Sequence, residues 1–167
     1  MGRTIGSDFA LAVYVFPLVL AALSDLRSLR IPNWLTGSLA AAFPVIALLW
    51  GGHVDWLSHI AAGLAVLVGA AILFALRLMG GGDVKLLAAV SLWIGLGSLL
   101  PFLTLTAVIG GGFAVLLVLL RTSAVQIVLQ RVLPRLAHFA DAKMKLPYGV
   151  PIAIAGILMV PSLSFFI

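Results

Sequence analysis

The chain has 167 residues, 63% of them hydrophobic and only 9% charged, with a mean hydropathy of +1.27 and a formal net charge of +5. So few charges exclude a water-soluble globule and specify an integral membrane protein, expected as one domain over residues 1–167. Cysteine is absent, which excludes disulfides and cysteine-ligated zinc, and the basic excess is read as loops facing anionic lipid, with no nucleic-acid partner.

A helical bilayer crossing takes about 20 mostly apolar residues. Residues 9–24 are uncharged and form the first predicted span, starting a few residues earlier. The lone upstream Arg3 and the lack of a small-x-small cleavage site argue against a removable signal. The polar stretch "SDLRSLRIPN" (24–33) leads to a second span, 34–50. The turn "GGHVDW" (51–56) leads to a third, 57–76. The break "RLMGGGDVK" (77–85) follows. Residues 86–120 carry no charge and are too long for one crossing, so the punctuation "GLGSLLP" (95–101) divides them into spans four and five. Residues 147–167 form the sixth.

Segment 122–146 differs. Val125, Val128, Leu129, Val132, Leu136 and Phe139 recur at helical spacing, with Gln126, Gln130, Arg131, Arg135 and His138 mostly between them. This predicts an amphipathic helix in the interface, near 123–140, bent at Pro134. The alternative, a seventh span, would carry Arg131 and Arg135 to mid-membrane at high cost. The expected fold class is therefore an all-α integral membrane protein with about six transmembrane helices and one interfacial helix.

Basic residues set the orientation. Arg27 and Arg30 follow span one, Arg77 and Lys85 flank the break after span three, and Arg121, Arg131, Arg135, Lys143 and Lys145 follow span five. Six spans bring these three loops to the same side, so both termini are expected away from the cytoplasm. Asp25, ending span one, and Asp83, opening span four, then share the cytoplasmic edge.

Carboxylates at the hydrocarbon boundary are costly, which makes them candidates for function. Two that meet can share one proton, because adjacent like charges do not both ionise cheaply. The ionised partner then takes a proton from water while the protonated one polarises a carbonyl under attack. That chemistry is peptide hydrolysis without metal, cofactor or covalent intermediate. Asp83, after Gly80, Gly81 and Gly82 and near Lys85, stands at a helix N-terminus that favours the ionised form. Asp25 stands at a helix C-terminus that does not. Asp83 is accordingly expected as the resting base and Asp25 as the resting acid. The glycines allow close approach of an extended substrate backbone within a wet pocket.

Simpler readings exist for each residue. Asp83 could cap span four, and Asp25 could pair with Arg27 or Arg30. Asp8 and Asp55 lie on the other side, as a cap and a turn residue, and Asp141 lies in a basic stretch. His53, His59 and His138 lack metal-ligand spacing. Glycines 110–112 are expected to permit close helix packing.

These residues resemble a family. "GGGD" (80–83) matches the GxGD motif of the type IV prepilin peptidases and the related archaeal preflagellin peptidases. "DLRSLRIPNWLT" (25–36) is similar to the family's other aspartate segment, "GGGDVKLLAA" to its extended form, and "LPYGVPIA" (146–153) to the closing helix of short members serving Flp (tight adherence) pili. The resemblance implies a membrane aspartic endopeptidase of the bacterial inner membrane, with catalytic Asp25 and Asp83 facing the cytoplasm. It implies prepilin or pseudopilin substrates, each with a short basic leader followed by a hydrophobic helix. Gly80, Gly82, Lys85 and Tyr148 are expected as supporting residues. Larger relatives carry a cysteine-bearing cytoplasmic domain and N-methylate the product. With no cysteine here, the expectation is peptidase activity alone. The competing reading from another class is a small proton- or ion-coupled transporter using the same aspartates as relays.

Overall fold

The computed structural model describes residues 5–49, 54–120 and 146–163, and in them the chain is helical throughout, without strands. Six α-helices follow in order: α1 (Ile5–Ser28), α2 (Asn33–Leu49), α3 (Trp56–Ala75), α4 (Gly81–Ile94), α5 (Leu99–Leu120) and α6 (Gly149–Leu158). Single 3-10 turns span Leu96–Ser98 and Val160–Ser162. The predicted interfacial helix of 123–140, with Asp141 and His138, falls outside the described residues, as does His53.

By length and composition, Ser7–Ser28, Trp56–Ala75 and Leu96–Leu120 are able to cross a membrane, while α2 and α6 are shorter apolar helices. Their outward faces are greasy: Leu48, Leu57 and Leu100 are each about three-quarters exposed. In water such a surface would aggregate, whereas against lipid chains it is the expected exterior.

The bundle is built around α4. Ten of its fourteen residues are buried, and it packs against α2, α3 and α6. Trp93, fully buried on α4, donates its indole N–H to the Leu39 carbonyl of α2 at 2.8 Å and packs against Tyr14 and Phe43. α6 packs against α1 and α5. Where α5 meets it, a Cβ on Gly110 would lie 3.7 Å from Pro151, while Gly111 and Gly112 face open space. Of the three glycines expected to permit close packing, Gly110 alone faces a neighbouring helix, at a distance that would also accept a methyl group.

Two helix ends differ from the sequence expectation. α1 runs on through Ser28, past the expected end at residue 24, so Asp25 sits within its last turn, at the helix C-terminus where it was expected. Hydropathy falls before the helix does, because polar residues in a final turn reach water without unwinding the backbone. Leu29 ends α1 in the left-handed region, φ +52, which a leucine adopts only under constraint. The returning strand of chain is tied down by Ser24, whose hydroxyl donates to the Arg30 carbonyl at 2.8 Å. α6 ends at Leu158, and the chain tightens into the 3-10 turn Val160–Ser162, where Pro161 has no N–H to continue the α-helical bonding.

Candidate active site

The breaks after α1 and α3 lie at the same end of the bundle as the start of α6. At that end, Asp25 with residues 29–31 and 80–83 lines a cavity of about 320 Å³. Asp25 and Asp83 both line it, although each is nearly buried, at 4% and 9% exposure. Among the described residues neither carboxylate forms an ion pair, so Arg27 and Arg30 do not neutralise Asp25. Arg30 lines the cavity; Arg27 is exposed.

Each carboxylate is held by a backbone N–H at a helix start. Gly80 is the N-cap of α4, and its N–H donates to Asp83 Oδ2 at 3.3 Å. Asp83 is thus the third residue of the helix, reaching back to its own cap. Gly149, the first residue of α6, donates to Asp25 Oδ2 at 2.7 Å across 124 residues of sequence. Reasoning from α1 alone saw only the helix C-terminus at Asp25; the structure adds the N-terminus of α6. Asp83 stands in the glycine break, outside the apolar spans. Burial, and next the negative charge of Asp25, push its carboxyl up to about 6, against the pull of the Gly80 N–H.

The glycines of the break have separate tasks. A Cβ on Gly80 would stand 2.7 Å from Asp83 Oδ2. On Gly82 it would stand 3.1 Å from Ile31 Cβ and 3.4 Å from Ile31 N. Gly80 therefore makes room for the carboxylate, and Gly82 lets the 29–32 connection cross the start of α4.

Two expected supporting residues lie elsewhere. Lys85 is exposed, donates to Asn33 Oδ1 at 2.9 Å, and borders a separate groove of about 510 Å³ between α2, α3 and α4. Tyr148 is the N-cap of α6 and does not line the carboxylate cavity. The residue to which sequence reasoning gave no role is its neighbour Gly149, which was noted only within "LPYGVPIA" and at the start of the last helix.

The remaining titratable groups lie apart. Asp55 caps α3 at the far end of the bundle, accepting from the Ser58 N–H at 3.1 Å. Buried His59 bonds through Nδ1 to the Leu92 carbonyl at 2.8 Å. Among the described residues no group of three or more metal-ligating side chains occurs.

Two close carboxylates on a glycine-lined cavity, unpaired by cations, can share a proton and activate water. The model of the type IV leader peptidase family matches residues 12–115, more than half of the chain and both aspartates included. No curated protein and no solved structure matches it.

Proposed function

The chain belongs to the type IV leader peptidase family, and from that premise we propose that it is a membrane aspartic endopeptidase acting on prepilins and pseudopilins. The observation that carries this reading is the cavity at one end of the bundle, walled by two nearly buried carboxylates that no cation neutralises among the described residues. One carboxylate, ionised, accepts a proton from water as the water oxygen attacks the scissile carbonyl. The other, protonated, donates a hydrogen bond to the developing oxyanion. Collapse of the tetrahedral intermediate returns a proton to the leaving amine and regenerates the shared-proton pair. No metal or cofactor takes part.

Helix positions support the substrate assignment. Asp25 closes α1 and Asp83 opens α4, so the chemistry sits at a membrane edge where a basic leader stays in water and the following hydrophobic helix stays in lipid. The basic residues beside these breaks make that edge the cytoplasmic face of a bacterial inner membrane. The "PYG" start of α6 aligns the protein with the short, Flp-type members. A relay for transport is disfavoured, since a coupled ion site belongs near the bilayer midplane.

The test is co-expression of a Flp-type prepilin with wild type, Asp25→Asn, Asp83→Asn and, as control, Asp55→Asn. Wild type and the control should shorten the prepilin, and the other two should lose at least about a thousandfold in rate. Persistent cleavage in either Asp25→Asn or Asp83→Asn removes the dyad.

A further inference from the structure

The two carboxylates are held in different ways. Asp83 is gripped by its own helix cap, three residues away. Asp25 is gripped by a helix that arrives from the other end of the chain. The first N–H groups of a helix have no partner inside it, and they carry the positive end of its dipole. The Gly149 N–H is therefore free to donate outward without cost to α6. Both donor and acceptor are buried, where such a bond is stronger and its loss more damaging than at a surface.

The residue type matters as much as the N–H. A Cβ at position 149 would stand 2.8 Å from Asp25 Oδ2, 2.8 Å from Ile31 Cδ1 and 3.1 Å from Asp25 Cβ. Real Cβ atoms do not come so close, so any side chain here moves the carboxylate. The same helix has a second anchor seven residues on. The Tyr14 hydroxyl donates to the Gly156 carbonyl at 3.1 Å, and a Cβ on Gly156 would stand 3.1 Å from that hydroxyl and from Val90. α6 is thus fastened to α1 at two points, one touching Asp25 and one remote from it.

We propose that Gly149 is a positioning residue for Asp25: its N–H fixes one carboxylate oxygen, and its missing side chain lets α6 reach that oxygen, leaving the other to the cavity. This rests on the reading of Asp25 as catalytic. It means that the competence of Asp25 depends on the docking of α6, whereas Asp83 is set by local sequence.

The test compares Gly149→Ala with Gly156→Ala in full-length protein, measuring prepilin cleavage and thermal unfolding together. Gly149→Ala should lower kcat at least tenfold with KM within twofold, because the displaced carboxylate no longer meets the reacting water while the substrate-binding surface is unchanged. Gly156→Ala should lower Tm to a similar extent while keeping kcat within threefold. Equal kcat losses in the two variants, or wild-type kcat in Gly149→Ala, overturn the proposal. Should Gly149→Ala not fold, protein labelled with 15N-glycine decides. The Gly149 amide proton should move upfield in Asp25→Asn and stay in place in Asp83→Asn; no movement in Asp25→Asn overturns the proposal. This last measurement does not depend on turnover, so a wild type that cleaves no prepilin would sink the peptidase reading and leave the contact to be judged on its own.

Discussion

Lys85 donates to the side-chain oxygen of Asn33 at 2.9 Å and so ties α4 to the first residue of α2. Two positions along a helix are about 200° around it, and Lys85 is exposed where Asp83 is buried. The lysine therefore faces away from the carboxylate that its place in "GGGDVK" suggested it would tune. Lys85→Met should leave the pH profile of cleavage within about 0.3 units of wild type and cost less than about 1 kcal/mol of stability. A displacement of a full pH unit in the kcat/KM profile would restore the tuning role.

Asp83 gives stability a specific pH dependence. Its carboxyl is pushed up to about 6 in the folded protein, against an ordinary value of 3.8. The folded state then binds the proton more tightly than the unfolded chain. Its contribution to stability is full below the unfolded value and is lost as pH rises through the folded one. Thermal unfolding in detergent should accordingly show Tm falling between about pH 4 and 6, a window set by those two values. Asp83→Asn should flatten this dependence. A wild-type Tm that rises over the same window would contradict the burial of this group.

The proton shared by the pair bears on turnover. If the pair works with one proton shared, kcat/KM should be bell-shaped, with its two limbs belonging to the pair and not to either carboxyl alone. A profile with a single ionisation, flat on the alkaline side, would count against the shared proton.

Gly80→Ala and Gly82→Ala should fail differently. At Gly82 the added methyl meets Ile31 at 3.1 Å and its backbone N at 3.4 Å, so the connection after α1 must lift, at about 1–3 kcal/mol of stability. At Gly80 it meets the tip of the Asp83 side chain at 2.7 Å, and the penalty should appear chiefly as a loss in kcat. Alanine at Gly111, which faces open space, should be neutral or stabilise by up to about 1 kcal/mol. Paired Tm and cleavage measurements separate the three.

Trp93→Phe is the test of the scaffold alone. It deletes a buried N–H bond to the Leu39 carbonyl and leaves a gap beside Tyr14 and Phe43. The expected cost is about 1–3 kcal/mol, read as a lower Tm, with kcat and the pH profile unchanged in the fraction that stays folded.

What the sequence made legible follows from what a membrane demands of it. Uncharged runs of the required length located the helices, and glycine at 95, with φ +73, ends α4 where the punctuation predicted. Asp25 and Asp83 were read as neighbours because the basic loops fixed which helix ends share a side. The end of α1 was drawn four residues short, at 24 and not 28, because charge marks the edge of the hydrocarbon and not the end of hydrogen bonding. The side of α4 on which Lys85 lies could not be read from its place in the motif, because two positions along a helix differ by over half a turn. Gly149 was invisible for a deeper reason: its contribution is a backbone N–H, which every non-proline residue carries, aimed at a partner 124 positions away.

The contact between Gly149 and Asp25 also orders events in time. A ribosome makes Asp25 first, Asp83 next and Gly149 last. Once residue 83 has been added both acids exist, while the amide that receives Asp25 lies 66 residues further on. The earliest of the three residues thus acquires its hydrogen-bond donor from the latest, and only after the final helix has packed against the first.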